Sequence, residues 1–130
     1  MKTIEVVAAI LRDGDKIFAT QRGYGDFKGK WEFPGGKIEQ NETHENALIR
    51  EIKEELDVNI VVKKFLKTVE YNYDSFYLIM HCYLCEGDFS TLSLNEHESA
   101  KWLGQNELLD VDWLPADIEI LNDVKKEMNW

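Results

Sequence analysis

Residues 43–56, with the sequence THENALIREIKEEL, constrain the fold most strongly. Their apolar residues recur at the spacing that gathers side chains on one face of a helix. These residues are Ala47, Leu48, Ile52 and Leu56. Thr43 precedes them as a typical N-cap, because its hydroxyl can accept a hydrogen bond from the first turn. The segment therefore predicts an amphipathic helix whose apolar face packs on a sheet.

Strand-like segments lie on both sides of this helix. Runs of β-branched and apolar residues predict strands at 3–11, 16–22, 60–71, 76–86 and 99–103. Asp13-Gly14 predicts a hairpin turn between the first two strands. A closing helix is predicted at about residues 117–128. Strands and helices do not follow a regular βαβ period, so we expect an α+β sandwich with a mixed sheet.

The segment between the first hairpin and the acidic helix is rich in glycine. Residues 23–30 contain three glycines and predict a loop, followed by the short aromatic segment at 31–33. Pro34-Gly35-Gly36 then predicts an interruption of regular structure. The same two glycines let the backbone approach a ligand closely.

Length and charge limit the possible partners. A chain of 130 residues with 44% apolar content supports one domain, residues 1–130. The net charge of −10 argues against polymeric nucleic acid, whose phosphates are bound by Lys and Arg. No run of about 18 apolar residues and no leader pattern is visible, so we expect no membrane partner and a cytoplasmic protein.

Cysteine and histidine do not indicate a metal or redox site. Cys82 and Cys85 lie three apart in a strand-like run, so they should point to opposite faces as buried, inert thiols. His44, His81 and His97 lack the spacing of metal ligands, and the sequence predicts none of them as a ligand.

Three carboxylates crowd one face of the predicted helix. At about 100° per residue, Glu54 lies near −60° and Glu55 near +40° from Glu51. Like charges so placed repel, and a bound divalent cation reverses that effect. A solvated acidic face is the alternative interpretation. Gly35-Gly36 and Glu42, just before the helix, favour a site for Mg²⁺ or Mn²⁺.

Residues 36–58 resemble the Nudix box, G-x5-E-x7-R-E-U-x-E-E-x-G-U, in which U is aliphatic. The matching positions are Gly36, Glu42, Arg50, Glu51, Ile52, Glu54, Glu55 and Val58. Asp57 departs from the pattern, because the family has glycine there. Asp enters the left-handed conformation more readily than most residues, so we expect a small stability cost and retained activity.

The resemblance implies an α/β/α sandwich and a hydrolase that splits a nucleoside triphosphate into monophosphate and pyrophosphate. It implies that Glu51, Glu54 and Glu55 bind the metal together with the carbonyl of Gly35. Arg50 would orient the glutamates, with Glu42 in support. The general base would be Glu51 or Glu96. Glu96, preferred over Glu98, lies six residues before Trp102, where family members carry a metal-linked Glu.

Features outside the box resemble the branch that contains bacterial CTP pyrophosphohydrolases and the mutator-preventing hydrolase of oxidised dGTP. These are residues 4–10, Gln21-Arg22, residues 31–37, Glu96-His97 and residues 115–118. The resemblance implies that Arg22 contacts the substrate phosphates, that Phe33 lies beside the base and that Asp117 reads the base. The alternatives are a solvated strand-end arginine and an N-cap aspartate.

The leading hypothesis is therefore an enzyme of nucleotide pool sanitation that acts on CTP, dCTP or oxidised and modified deoxynucleoside triphosphates. One alternative is hydrolysis of another nucleoside diphosphate-linked substrate, which usually needs additional binding elements. Another is a nucleotide-sensing module without turnover, although the carboxylates of the box are retained. A monomer and a homodimer are both compatible with the sequence.

Overall fold

Within residues 1–94 and 97–130, the computed structural model contains seven strands and three α-helices; for residues 97 and 98 it describes the backbone alone. The strands are β1 Lys2–Asp13, β2 Lys16–Arg22, β3 Trp31–Glu32, β4 Gly35–Lys37, β5 Ile60–Asn72, β6 Phe76–Gly87 and β7 His97–Leu103. The helices are α1 His44–Leu56, α2 Pro115–Ile118 and α3 Leu121–Met128, with a 3-10 helix at Gln105–Glu107.

The strands form a mixed sheet. β1 pairs in parallel with β6, from Lys2 opposite Phe76 to Leu11 opposite Cys85. The sheet order is β3-β2-β1-β6-β5, with β4 also paired to β1 and β7 to β2. These other pairings are antiparallel. The expected mixed sheet is confirmed.

Strand β1 is buried on both faces, and its alternating side chains enter two separate cores. Ala8 and Ile10 belong to the core that includes residues of α2 and α3. Val7, Ala9 and Leu11 belong to the core beneath α1. Helices therefore cover both faces of the sheet, and the expected α/β/α sandwich is confirmed.

The two cysteines follow the same alternation on β6. Cys82 lies in the core beside α2 and α3, and Cys85 lies in the core beneath α1. Both are free and buried, and burial raises the pKa of both thiols, that of Cys85 to about 12. The prediction of buried, inert thiols on opposite faces is confirmed.

Helix α1 begins and ends as its sequence predicts. The Thr43 hydroxyl accepts a hydrogen bond from the backbone N–H of Asn46 at 3.1 Å. Asp57 adopts the left-handed conformation with φ 56° and ψ 41°, and its N–H donates to the carbonyl of Lys53. An aspartate thus caps the helix at the position where the motif that residues 36–58 resemble has glycine.

The expected interruption at Pro34-Gly35-Gly36 is wrong for the two glycines, which begin strand β4. Gly35 lies opposite Ala8, and Gly36 opposite Val7. A Cβ atom on Gly35 would lie 1.9 Å from the carbonyl oxygen of Val7. Glycine is needed here because the two strands approach more closely than any side chain allows.

The closing helix is two short helices rather than one. α2 and α3 are separated at Glu119 and Ile120. The N-cap of α2 is Leu114, and Pro115 occupies the first turn, where the missing N–H is not needed. Asp117 therefore lies inside α2, and the alternative that it caps a helix is wrong. No helix in the described parts of the chain has the length and apolar character needed to cross a bilayer.

Candidate active site

Arg50 gathers the carboxylates of α1 and of the preceding loop. Its Nε and Nη2 atoms donate to the two carboxylate oxygens of Glu42 at 2.7 and 2.8 Å. Its Nη1 atom donates to Glu51 at 2.9 Å and to Glu54 at 3.4 Å. Nη2 also donates to the backbone carbonyl of Lys37 at 3.0 Å. One guanidinium group therefore fixes the acidic face of α1 relative to β4.

Hydrogen bonds, neighbouring charges and burial shift the pKa values of this cluster. Hydrogen bonds from Arg50 and from the backbone N–H of Glu39 hold the pKa of Glu42 at about 2. The hydrogen bond to Glu42 raises the pKa of Arg50. Burial raises the pKa of Glu51, against the hydrogen bond and charge of Arg50, which lower it. Arg50 therefore remains a cation paired to an ionised Glu42.

The three helix carboxylates span the boundary between the protein interior and solvent. Glu55 is 7% exposed, whereas the side chain of Glu51 is 14% exposed and that of Glu54 is 61% exposed. The negative charge of Glu54 contributes to the raised pKa of Glu51, whereas the neighbouring Glu55 lowers it. The carboxylates of Glu51 and Glu55 are thus largely shielded from water, whereas that of Glu54 faces solvent.

Gly36 leaves the space in which the Glu51 carboxylate lies. A Cβ atom at Gly36 would lie 2.3 Å from Cδ of Glu51 and 2.4 to 2.6 Å from its oxygens. The possible ligands are carboxylate oxygens that lie beside the backbone of β4. Mg²⁺ and Mn²⁺ prefer oxygen ligands of this kind. The residues present therefore fit a hard divalent cation, and Gly35 lies next to them on β4.

A cavity of about 640 Å³ opens beside these carboxylates. Glu51, Glu55 and Gly36 line part of its wall, and Phe33 and Asp117 line another part. Apolar and aromatic side chains complete it, namely Tyr73, Phe76, Leu78, Met80 and Leu114. Its volume is typical of small-molecule sites, and its walls suit a planar, partly apolar ligand group.

Asp117 is a buried acidic group in the part of the cavity that Phe33 lines. It is 4% exposed, and its Oδ2 atom accepts a hydrogen bond from the backbone N–H of Phe33 at 2.8 Å. Burial, followed by the negative charge of Glu32, raises the pKa of Asp117 to about 8. The Phe33 ring packs against Trp113 with centroids 4.6 Å apart. Near neutral pH the carboxyl group is therefore mostly protonated and can donate as well as accept a hydrogen bond.

Arg22, the last residue of β2, also lines the cavity. Its Nε and Nη2 atoms donate to the two oxygens of Glu32 at 2.9 and 3.0 Å. Its guanidinium lies 5.9 Å from the ring centroid of Phe27. The side chain retains 40% exposure. The ion pair with Glu32 therefore fixes the orientation of the Arg22 guanidinium at the cavity wall.

The structure thus brings together most of the residues singled out in the sequence. Arg50, Glu51, Glu54 and Glu55 form one cluster, while Arg22, Phe33 and Asp117 share the adjoining cavity. Glu96 lies outside the described residues.

Among the cavity residues that the sequence analysis did not single out, Glu32 and Tyr73 make polar contacts that shape the site. Glu32 pairs with Arg22, and it could have been found because it lies in the WEFPGG segment. The hydroxyl of Tyr73 accepts a hydrogen bond from the N–H of Ala116 at 3.0 Å, and burial raises its pKa to about 12. No local pattern identifies Tyr73.

Comparisons with known proteins give a consistent picture. The family model described as NUDIX domain matches residues 1–124. CTP pyrophosphohydrolase of Escherichia coli (strain K12) is 36% identical over 122 residues, covering 93% of this chain and 90% of the relative. The 8-oxo-dGTP diphosphatase of the same organism is 28% identical over 128 residues, covering 97% and 99%. The solved structure of the E. coli ORF135 protein has a TM-score of 0.82 and 35% identity, covering 97% and 91%.

Proposed function

Because the chain belongs to the NUDIX family of hydrolases, we propose that its substrate is a nucleoside triphosphate, which it splits into the monophosphate and pyrophosphate. The observation that carries this proposal is that Glu51, Glu55 and Asp117 line one and the same cavity. A nucleotide needs both a cation site and an apolar pocket. Its phosphates bind cations, and its base binds in an apolar pocket that contains a hydrogen-bonding group.

We propose Mg²⁺ as the cofactor, with Mn²⁺ as a substitute. Glu51, Glu54, Glu55 and the carbonyl of Gly35 would hold it. When bound, such a cation stabilises negative charge on the phosphates and lowers the pKa of an attacking water. The oxygen-rich donor set supports this assignment.

Protein groups position the reacting atoms. Arg50 acts as a positioning residue, because its hydrogen bonds hold Glu51 and Glu54 in place. Arg22, oriented by Glu32, supplies a cation for the phosphates. The proton of the attacking water passes to Glu51 or Glu96, the two candidates for the general base, and pH–rate profiles of Glu51→Gln and Glu96→Gln distinguish them.

Asp117 reads the base in this proposal. The Phe33 N–H occupies one lone pair of Oδ2 and fixes the carboxyl plane. The protonated carboxyl group can donate to N3 of cytosine while accepting from the N4 amino group. The ionised form instead accepts from N1–H and the amino group of a guanine. A buried carboxyl with a pKa of about 8 therefore favours cytosine at neutral pH.

We propose that cytidine and deoxycytidine triphosphates are the preferred substrates, with oxidised or modified deoxynucleotides as further ones. The relatives named CTP pyrophosphohydrolase and 8-oxo-dGTP diphosphatase support this range. We also propose a single domain over residues 1–130 in the cytoplasm. Free Cys82 and Cys85 support that location, since thiols persist in a reducing compartment.

The first test measures pyrophosphate release at saturating Mg²⁺. The substrates are CTP, dCTP, 5-methyl-dCTP, dGTP, 8-oxo-dGTP, UTP and a dinucleoside polyphosphate, with Glu54→Gln as the blank. Preference for cytosine or modified guanine supports the proposal. Turnover of the dinucleoside polyphosphate alone supports a diphosphate-linked substrate, and nucleotide binding without any turnover supports a sensing module.

The second test examines the Asp117 reader directly. The ratio of kcat/KM for CTP to that for 8-oxo-dGTP should fall between about pH 6.5 and about pH 8.5 as the carboxyl group ionises. Asp117→Asn, which stays neutral, should make the ratio far less dependent on pH. An equally pH-dependent ratio in this variant would show that another group controls base selection.

A further inference from the structure

Two histidines that are far apart in the sequence meet where the start of α1 packs on the sheet. His44 is the first residue of α1, and His81 lies on β6. Their rings stack with centroids 4.2 Å apart and an interplanar angle of 24°. Glu5 on β1 completes the group, because its Oε2 atom lies 2.6 Å from Nε2 of His81.

Neighbouring hydroxyl groups orient both imidazole rings. Oγ1 of Thr68 lies 2.8 Å from Nδ1 of His81. The hydroxyl of Tyr83 lies 2.8 Å from Nδ1 of His44. Both Nδ1 atoms are therefore hydrogen-bonded to a hydroxyl group, which leaves the Nε2 atoms as the potential metal ligands. Partners of this kind fix ring orientation and tautomer in metal sites of proteins.

We propose that Glu5, His44 and His81 form a second cation site, which selects a borderline transition-metal ion such as Zn²⁺. One nitrogen from each histidine and one oxygen of Glu5 lie within 4.8 Å of one another. Two imidazoles and one carboxylate, with an open position for water, are a ligand set that Zn²⁺ accepts and Mg²⁺ does not favour. The sequence spacing does not reveal this site, since the ligands come from β1, α1 and β6.

Occupancy needs the His44 ring to turn out of its stacked position, because the Nε2 lone pair of each imidazole lies in the ring plane and two nearly parallel rings cannot both point at one ion. Ligand atoms around a tetrahedral zinc ion lie roughly 3.3–3.5 Å apart, given bonds of about 2.0–2.2 Å. Oε2 of Glu5 must therefore move away from Nε2 of His81 by somewhat less than an ångström. The Glu5 side chain is 52% exposed and free to make this movement, whereas His81 is 13% exposed and held in place.

The site is distinct from the acidic cluster, although both involve α1. His44 precedes Glu51 by seven residues, which corresponds to about 10 Å along the helix axis. A cation bound to Glu5, His44 and His81 would join the start of α1 to two strands of the sheet. It should stabilise the folded protein, because it binds the folded state and not the unfolded chain.

The test titrates Zn²⁺ into the full-length protein in a large excess of Mg²⁺, which fills the oxygen site and competes poorly for imidazole. Calorimetry should give one equivalent of bound Zn²⁺, and the Tm should rise. NMR of the three imidazole rings should show shifts for His44 and His81 but not for His97. Unshifted His44 and His81 signals would overturn the proposal without the use of any variant.

Matched variants locate the bound ion. His44→Asn and His81→Asn retain a polar atom near the position of Nδ1 for the Tyr83 and Thr68 hydroxyls, and they remove Nε2. Each should weaken Zn²⁺ binding at least about tenfold, while His97→Asn should leave it unchanged. Equal zinc affinity in all three variants would assign the ion elsewhere and overturn the proposal. Mg²⁺-dependent hydrolysis, measured without zinc, should be little changed in His44→Asn and His81→Asn.

Discussion

Arg50 and Glu42 form a two-point ion pair that links the middle of α1 to the loop before it. Both carboxylate oxygens of Glu42 are engaged, at 2.7 and 2.8 Å. The guanidinium retains a further nitrogen for Glu51 and Glu54. The planar fork of arginine makes these contacts at once, which a lysine ammonium cannot do.

Arg50→Lys should therefore reduce kcat roughly 10- to 100-fold, because the charge remains but the carboxylates lose their fixed positions. The Mg²⁺ concentration for half-maximal activity should rise, and KM for CTP should change little. Arg12→Lys is the matched control, since Arg12 pairs with Glu86 away from the site. An unchanged Mg²⁺ requirement in Arg50→Lys would argue against a positioning role.

Glu54→Gln should lower kcat at least about 100-fold without loss of stability. The side chain is 61% exposed, so its charge matters for the ligand and not for packing. Glu45→Gln, also exposed on α1, should retain full activity. Steady-state kinetics and thermal melts of both variants provide the test. Near-normal turnover in Glu54→Gln would remove this residue from the metal site.

Gly36→Ala should inactivate the enzyme by displacing Glu51. The added Cβ would meet the Glu51 carboxylate at 2.3 to 2.6 Å, which forces that side chain to move. Gly104→Ala is the control, because its Cβ would meet only the Glu107 side chain at 3.0 Å. We expect a kcat loss of at least about tenfold in the first variant. Similar activities of the two variants would contradict a requirement for glycine beside Glu51.

Asp57→Gly should stabilise the protein by about 0.5 kcal/mol. Glycine relieves the left-handed conformation at φ 56° by about 1 kcal/mol. The exposed ion pair from Lys53 to Asp57, at 3.0 Å, is lost and offsets part of the gain. Urea unfolding measures the difference, and kcat should not change. A destabilised Asp57→Gly variant would mean that the aspartate side chain contributes more than the glycine conformation.

Asp117→Asn should change how stability depends on pH. The folded-state pKa of about 8 lies above the ordinary value of 3.8, so the folded protein keeps its proton where the unfolded chain releases it. This group's contribution to the free energy of unfolding is therefore greatest at low pH and falls as pH rises towards 8. The Asn variant lacks this effect, so its stability relative to the parent should increase by at most about 1.4 kcal/mol per pH unit. If the difference in free energy of unfolding between the two proteins, measured with urea, did not change with pH, this prediction would be wrong.

Local sequence determined the acidic helix and its ends. The apolar period, the Thr43 cap and the carboxylate spacing all depend on residues within a few turns of one another, so the sequence of this segment alone predicts them. The same holds for the first hairpin, where Gly14 at φ 61° makes the turn between β1 and β2. Alternation likewise determined that Cys82 and Cys85 lie on opposite faces of β6.

Tertiary structure decided which distant groups meet. Gly35 and Gly36 are in a strand because they pair with β1; the β1 backbone leaves no room for a Cβ on Gly35, and the Glu51 side chain leaves none on Gly36. Asp117 accepts a hydrogen bond from Phe33, 84 residues away, and burial together with the negative charge of Glu32 raises its pKa against that contact. His44 and His81 become neighbours only when α1 packs on the sheet. Local propensity contains no information on such pairs, because their proximity and their desolvation arise from packing across the whole chain.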